Sequence, residues 1–346
     1  MAEEIRKIQR TGGSTFTVSL PKEWVSEMKL KPGDPLYIRT LDNASLVITP
    51  GPPRHEGDAG EAVIRISSKD DPHTIARRLI SLYLIGYSVV RIVSGDGRIT
   101  PAQRNVVKGC AKGKLVGVEI ITDQPDEMVL KVLVRHPDLS VRDALRRMAM
   151  ISSSMLRDAI AAVRALDRRL AAEVMAMDDE VDRFSMYVIR QLKAAVDDRR
   201  LIGEVGLRRP RDCLGYRLIV KSVERIGDHA AAIAENLGAI SRPVDPELMR
   251  GMEQMGDFAM RTFNAAIGSL FNEDGGSAED VILGAEKIGD VERRLVALMS
   301  TSARGAEHAA LRLMLESLRR VVEYSCDIAE VVLNLTSEGL IAKREV

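Results

Sequence analysis

Acidic residues four positions apart occur in four places, each within a segment that has a strong helical pattern. Residues at this spacing lie on one face of a helix, one turn apart. Two carboxylates in this arrangement repel each other, which costs stability unless a positive group lies between them. A metal ion would supply that charge, because hard cations prefer carboxylate oxygens. The four pairs are Asp178 and Asp182, Glu224 and Asp228, Glu286 and Asp290, and Glu323 and Asp327.

The order of the pairs indicates an internal duplication. Asp178 and Glu286 are 108 residues apart, and Glu224 and Glu323 are 99 residues apart. The segments 222–236 and 321–335 also align with each other around the second and fourth pairs. A repeat of about this length predicts two similar helical units, each carrying two acidic pairs.

A second interpretation of the pairs stays open. A chain with 50 acidic residues among 346 also has some such pairs by chance, on solvated helix faces. Against this, Asp178 and Asp182 border an apolar stripe that includes Val181 and Phe184, and ligands between helices emerge at such borders. A solvated face would more often show Glu followed by Lys four positions later. Acidic pairs that hold no metal remain the alternative.

The helices that must position the pairs follow one another from residue 139 to the end of the chain. Breaks are expected near Gly203 to Pro210, at Arg242-Pro243 and at Asp274 to Gly276. Six helices in two groups of three match the repeat and predict two three-helix bundles, at 140–238 and 244–338. The predicted helices span 141–165, 167–199, 211–239, 245–272, 278–303 and 306–338.

The first part of the chain has a different character. Residues 1–50 are rich in β-strand patterns and contain one short helix. A segment rich in Pro and Gly, 50–60, is typical of a linker. Residues 61–136 predict a small α/β domain with the element order β-α-β-α-β-β. The fold class is therefore mainly α, with a β-rich N-terminal module.

Composition argues against several classes of protein. The 50 basic and 50 acidic residues give no net charge, and aromatic residues make up only 3%, so neither a broadly basic nor a base-stacking surface is expected. Three widely spaced cysteines predict neither a disulfide framework nor a thiolate zinc site. This usage fits a reducing cytoplasm. We predict a cytoplasmic protein with no transmembrane segment and no leader.

The segments ERIGDHA (224–230) and VVEYSCDIAE (321–330) resemble the PhoU family of phosphate-uptake regulators. The resemblance covers about residues 140–338 and implies tandem three-helix bundles, each holding a multinuclear metal cluster of iron or zinc. Two departures from the family pattern leave every carboxylate in place: the first motif begins with Asp178 rather than Glu, and Cys326 stands where the earlier copy has Gly227. The resemblance assigns Asp178, Asp182, Glu224 and Asp228 to the first cluster, and Glu286, Asp290, Glu323 and Asp327 to the second.

The same resemblance implies a regulator of phosphate homeostasis rather than an enzyme. Such a protein would repress phosphate uptake, with a phosphate ABC transporter and a sensor kinase as partners. The alternative is a carboxylate-bridged multinuclear metalloenzyme, either phosphatase-like or of the di-iron type. The usual di-iron bundle adds a Glu-x-x-His motif, which the helices carrying the pairs lack.

The N-terminal segments SLPKEW (19–24) and LKPGDPLYI (30–38) resemble the AbrB/SpoVT swapped-hairpin fold. This resemblance covers about residues 4–50 and implies a homodimer that binds DNA, and hence a role in transcription regulation. The candidates for contacts with DNA phosphates are Arg6, Lys7, Arg10 and Lys22. The alternative is that these four are ordinary surface charges on a dimerisation module.

Overall fold

The computed structural model describes residues 5–13, 15–41, 45–51, 59–134, 139–302 and 305–337. The chain divides into two compact units, Met1–Glu56 and Gly57–Val346.

The first unit consists of two short hairpins and one helix. Strand β1 (Gln9–Thr11) pairs antiparallel with β2 (Thr15–Thr17), and β3 (Tyr37–Leu41) pairs antiparallel with β4 (Ser45–Thr49). Helix α1 (Lys22–Glu27) lies between the hairpins in the sequence. None of the side chains described in this unit is buried. The described residues of this unit thus form no hydrophobic core of their own.

The second unit begins with the small α/β domain, and its element order agrees with the prediction. Its four-stranded sheet has the order β5-β6-β8-β7, in which β5 and β6 are parallel and the other neighbours are antiparallel. The elements are β5 (Ala59–Ile66), α2 (Pro72–Ile85), β6 (Tyr87–Ser94), α3 (Pro101–Lys114), β7 (Val118–Asp123) and β8 (Glu127–Val132).

Local signals define where the two helices of this domain begin. Asp71 accepts a hydrogen bond from the backbone N–H of Thr74, and Pro72 occupies the first helical position. Thr100 and Gln103 form a reciprocal capping box at the start of α3. A hydrophobic core of its own, which includes Ile75, lies between the sheet and these helices.

The rest of the second unit is helical, and the predicted fold class is confirmed. Helices α4, α5 and α7 pack against one another as a first bundle, and α8 to α11 form a second. Contacts between α4 and α8 and between α7 and α11 merge the two bundles around one continuous core. The helices are α4 (Val141–Ala165), α5 (Arg168–Asp197), α6 (Leu201–Glu204), α7 (Asp212–Asn236), α8 (Pro246–Asn272), α9 (Gly275–Ala285), α10 (Ile288–Ser302) and α11 (Ala306–Thr336).

The prediction of one helix over 278–303 was wrong. The structure has two helices, α9 and α10, which are separated by a turn at Glu286 and Lys287. Gly284 and Gly289 flank this turn, and glycine weakens a helix because it loses the most backbone freedom on ordering. The helix also begins earlier than predicted, since the Asp274 side chain accepts a hydrogen bond from Ser277 and caps α9 at Gly275.

The α/β domain packs on α5, through contacts of both α2 and α3 with that helix. Arg190 of α5 is 94% withdrawn from solvent, with a relative exposure of 6%. Its guanidinium donates hydrogen bonds to the carbonyl oxygens of Tyr83, Tyr87 (3.1 Å) and Gly86 (2.8 Å). These carbonyls lie at the end of α2, in the turn after it and at the start of β6, so one side chain links the domain to the first bundle.

A search of the described helices for one that is both long and apolar enough to cross a bilayer finds none.

Candidate metal centre

Two helices of the first bundle bring three acidic side chains together. Asp182 comes from α5, and Glu224 and Asp228 come from α7. One carboxylate oxygen from each of the three lies within 4.8 Å of the others. Because metal–oxygen bonds are about 2.0–2.6 Å long, oxygens at this separation can share one ion.

Asp178 lies one turn before Asp182 and faces the same region. An ideal Cβ at Gly227 of α7 would stand 3.3 Å from the Oδ1 atom of Asp178, so these helices approach closely beside this carboxylate. The Oδ1 atom of Asp178 is buried, and no hydrogen-bond donor among the described residues reaches it. A buried carboxylate oxygen without a donor is costly, and its cost is removed when a cation binds it. We call Asp178, Asp182, Glu224 and Asp228 the first acidic set.

The electrostatics of the first acidic set reflect the crowding of like charges. Burial, followed by the charges of Asp228 and Asp182, raises the pKa of Asp178 to about 7. Burial and the charge of Glu224 raise the pKa of Asp228 to about 6, and the same two causes raise the pKa of Asp182. Such shifts are expected where several carboxylates share one partly dry site.

Two lysines oppose these charges. Lys221 of α7 forms an ion pair with Glu224, one turn away on the same helix. Lys114, at the end of α3, lies close enough to Asp182 to lower its pKa against the effect of burial. The α/β domain therefore contributes a positive charge beside the first acidic set.

The residues present fit a metal ion. The donor set consists of carboxylates on two packed helices, and one of its oxygens is buried without a partner. Hard or borderline cations such as Mg²⁺, Mn²⁺, iron or Zn²⁺ take such oxygen ligands. Asp178, Asp182, Glu224 and Asp228 would hold it, and the bound ion would supply the positive charge that the set lacks.

The other four predicted ligands have a different arrangement. We call Glu286, Asp290, Glu323 and Asp327 the second acidic set. Glu286 lies in the turn between α9 and α10, so it does not share a regular helix with Asp290. Arginines already pair with two members: Arg293 with Asp290, and Arg319 and Arg320 with Glu323. Within the described ranges, three potential ligand atoms come together only in the first acidic set.

The predicted DNA contacts lie in the first unit, and the side chains of Arg6, Lys7, Arg10 and Lys22 are all exposed. Arg6 donates a hydrogen bond of 3.4 Å to the hydroxyl of Ser19. Arg10 bonds the carbonyl oxygen of Gly13 in the turn between β1 and β2.

Sequence reasoning did not identify Gly227 and Lys114 as parts of the candidate centre. The segment ERIGDHA contains Gly227, but only the packing of α5 against α7 shows why a side chain there would crowd Asp178. Nothing in the sequence near Lys114 relates it to Asp182, since the contact depends on how the α/β domain docks.

A cavity of about 360 Å³ lies elsewhere, where the start of α7 meets the end of α8 and of α11. Its walls include Arg142 and Arg208, which both pair with Glu273, at 3.2 Å and 2.6 Å. Arg209 and Asp212 of the same walls also pair, at 3.2 Å, so each of the three arginines lining the cavity has a carboxylate partner.

Known proteins share both the fold and parts of this sequence. Residues 9–55 match the family described as "Antidote-toxin recognition MazE, bacterial antitoxin". The chain is 26% identical over 211 residues to the "Phosphate-specific transport system accessory protein PhoU homolog" of two Caulobacter vibrioides strains, NA1000 / CB15N and ATCC 19089 / CIP 103742 / CB 15. That match covers 57% of this chain and 87% of the relative.

Among solved structures, the fold resembles the crystal structure of the phosphate transport system regulatory protein PhoU from Streptococcus pneumoniae. The TM-score is 0.50 at 15% identity, and the match covers 58% of this chain and 96% of that one. At this identity the likeness concerns the fold alone. The sequence model of the PhoU domain family matches residues 145–237 and 252–332, which together make up half of the chain. The chain therefore belongs to the PhoU domain family.

Proposed function

We propose that this protein is a metal-binding regulator of phosphate uptake, which holds its metal at the first acidic set and acts as a homodimer. The observation that carries the proposal is the buried, unpartnered Oδ1 atom of Asp178 beside three further carboxylates, on a bundle of the PhoU family. The names of the Caulobacter relatives supply the link to phosphate transport. Partners of this activity would be a phosphate ABC transporter and a sensor kinase.

The proposed role of the bound metal is structural. Four carboxylates from α5 and α7 would hold it, which replaces mutual repulsion by coordination and fixes the two helices relative to each other. Asp182 is also close to Lys114 of the α/β domain, so the occupancy of the centre can influence how that domain docks. A fixed bundle surface would then meet the partner protein.

The first experiment measures metal content by elemental analysis of the full chain, purified without a metal-affinity tag. The test variant is D178N/D182N/E224Q/D228N. The matched control is E286Q/D290N/E323Q/D327N, which removes the same number of carboxylates from the second acidic set. We expect the test variant to lose the ions of the first set, whereas the control keeps them. Equal metal content in the wild type and the test variant would contradict the proposal.

The second experiment measures uptake of radiolabelled phosphate by cells that lack their own copy of this gene. We expect the wild-type chain to repress uptake in phosphate-rich medium. The test variant should fail to repress although it is expressed at the same level. Repression that is unchanged in the test variant would show that the metal has no regulatory role. If the wild-type chain had no effect on phosphate uptake, that result would contradict its proposed role as a regulator.

The N-terminal unit is proposed to dimerise the chain and to contact DNA. Support for a second copy comes from apolar side chains left in solvent, since Ile38, Phe16 and Leu46 are each more than 60% exposed. Such a unit cannot bury enough surface alone to offset the entropy of folding. Arg6, Lys7, Arg10 and Lys22 would then meet phosphates from both copies.

DNA binding is tested by fluorescence anisotropy with duplexes from upstream of phosphate-transport genes, over a range of salt concentrations. Phosphate contacts predict that the affinity for DNA falls steeply as the salt concentration rises. Replacing the four basic residues with Gln should make the dependence of log affinity on log salt concentration less steep. A chain that shows no salt-sensitive binding would leave the unit as a dimerisation module.

A further inference from the structure

Two arginines from different bundles converge on one tyrosine between α7 and α11. Arg225 Nη1 of α7 donates a hydrogen bond of 3.1 Å to the hydroxyl of Tyr324, and Arg320 Nη2 of α11 donates one of 3.0 Å to the same oxygen. Both guanidiniums also lie over the Tyr324 ring, 5.6 Å and 5.0 Å from its centroid. We call these three residues the arginine–tyrosine cluster.

Among the described residues, only one of the two guanidiniums has an ion-pair partner. Arg320 pairs with Glu323 at 2.8 Å. In the described part of the chain, no carboxylate oxygen lies within ion-pair distance of Arg225, whose hydrogen-bond acceptor is the neutral Tyr324 hydroxyl. Two like charges that share one neutral oxygen repel each other, and an anion between them would relieve that repulsion. The charges of Glu224 and Asp228 act on Arg225 from beyond ion-pair distance, so the two guanidiniums are the charges closest to the Tyr324 oxygen.

The hydrogen-bonding capacity of Tyr324 leads to the same conclusion. A phenolic oxygen can accept two hydrogen bonds and donate one. Both of its acceptor positions are used by the arginines, and none of the residues described accepts its O–H. Tyr324 itself is buried, and His229 stacks on its ring at 5.8 Å, with Nδ1 3.2 Å from the hydroxyl of Ser317. Tyr324 is thus held in place, and its O–H is available to donate a hydrogen bond to a ligand.

The cluster lies between the two halves of the repeat. Helices α7 and α11 pack antiparallel, because Gly215 lies against Val331 whereas His229 lies against Ser317. Arg225 directly follows Glu224, and Tyr324 directly follows Glu323, so these two residues correspond in the 99-residue repeat. A ligand bound here would contact both motif-bearing helices at once.

We propose that Arg225, Arg320 and Tyr324 bind a tetrahedral oxyanion, which accepts hydrogen bonds from both guanidiniums and from the tyrosine O–H. Guanidinium nitrogens that reach one common oxygen are close enough for a single oxyanion to bridge, and arginine is well suited to such contacts. The identification of this oxyanion as inorganic phosphate rests on the proposed function. The hydrogen-bond donors of this site would suit sulfate equally well.

The test measures binding of inorganic phosphate and, separately, of sulfate to the full chain by isothermal titration calorimetry. The variants are R225Q, R320Q and Y324F, and the control is R217Q, an exposed arginine on the same helix. Loss of a charged hydrogen bond weakens affinity roughly tenfold or more, so we expect this effect in R225Q and R320Q, a smaller one in Y324F and none in R217Q. Helical circular dichroism checks that each variant is folded.

A further control separates this site from the candidate metal centre. Phosphate affinity should persist in D178N/D182N/E224Q/D228N. If phosphate affinity is lost in this fourfold variant but kept in R225Q, the anion binds at the metal centre and the proposal is overturned. It is likewise overturned if neither anion binds the wild type saturably.

The remaining outcomes distinguish this inference from the proposed function. Binding of sulfate without phosphate would support the oxyanion site and refute its identification with phosphate. If neither anion bound but uptake in cells were repressed normally, the proposed oxyanion site would be refuted and the proposed regulatory function would be retained. Phosphate binding by a chain that has no effect on uptake would support the site and contradict the proposed function.

Discussion

At the scale of single residues, the first acidic set determines how the metal-free protein responds to pH. The pKa of Asp178 is raised from 3.8 to about 7, and that of Asp228 to about 6, chiefly by burial. The native state therefore holds protons that the unfolded chain releases near pH 4. The resulting stabilisation is complete at low pH and is lost as the pH rises through about 6 to 7.

We accordingly predict that chelator-treated protein becomes less stable between pH 5 and pH 8. Because Asp228 is solvent-exposed, screening reduces the effect, and we expect a loss on the order of 1–2 kcal/mol in the free energy of unfolding. Urea denaturation at several pH values measures it. The D178N variant should have a flatter profile, and a profile as steep as that of the wild type would refute the assignment to Asp178.

Gly227 is predicted to be required for the geometry of the same site. An alanine Cβ there would stand 3.3 Å from Asp178 Oδ1 and 3.4 Å from Val181 Cγ1, so G227A forces its neighbours to move. The control G268A introduces the same change in α8, where the added Cβ would meet no atom within 4 Å beyond its chain neighbours and the adjacent helix backbone. Alanine favours a helix by about 1 kcal/mol over glycine, so G268A should raise the melting temperature.

For G227A we expect no such rise, together with weaker metal binding than in the wild type. Calorimetric titration of the chelator-treated variants with Mn²⁺ or Zn²⁺ compares their affinities. If G227A behaved like G268A in both measurements, the close approach at Gly227 would have no bearing on the site.

At the scale of elements, helix positions were the most predictable feature. The predicted helix 141–165 matches α4, because both the capping residue Ser140 and the helical spacing of apolar residues are local signals in the sequence. The break between α9 and α10 was missed, since a single glycine is tolerated within a helix and only the pair around Glu286 and Lys287 ends it. Three of the four acidic pairs share a helix as predicted, whereas Glu286 lies in the turn before the helix that carries Asp290. How carboxylates approach one another across helices is a property of packing.

Arg190 provides a test of how the α/β domain is fastened to α5. In R190M, the carbonyl oxygens of Gly86 and Tyr87 lose the Arg190 donor, whereas that of Tyr83 keeps the backbone N–H of Gly86. An acceptor that is left unsatisfied when buried costs about 1–3 kcal/mol. We expect urea denaturation to show a loss of roughly 3 kcal/mol or more. The control K193M changes an exposed residue on the same helix and should have little effect. Similar stability of the two variants would contradict this role of Arg190.

At the scale of the whole molecule, the duplication could be read from the spacing of the acidic pairs, but its consequence could not. The two bundles merge around one core through α7 and α11, which places the arginine–tyrosine cluster between the halves. The two acidic sets also differ: among the described residues, arginines pair with Glu323 and Asp290 of the second set, whereas the ion pair of the first set joins Lys221 to Glu224. A repeated sequence pattern therefore does not give two equivalent sites.

The N-terminal unit leads to a prediction about the assembly. Ile38 and Leu46 lie on the paired strands β3 and β4 and are 65% and 62% exposed, so an isolated unit leaves them in water. Burial of such side chains by a second copy contributes about 1.5–3 kcal/mol each. Analytical ultracentrifugation should therefore give twice the chain mass of 38.1 kDa for the wild type. The I38D/L46D variant should sediment as a monomer, since charged groups would have to be buried without partners.

A control and a second measurement distinguish loss of the dimer from loss of the fold. Leu214 of α7 is 73% exposed but lies outside the N-terminal unit, so L214D should remain a dimer. Helical circular dichroism should be nearly the same in all three proteins, because every described helix except the six-residue α1 belongs to the other unit. If I38D/L46D stayed dimeric, the contact between copies would lie in the second unit, and the exposed apolar side chains of the first would need another partner.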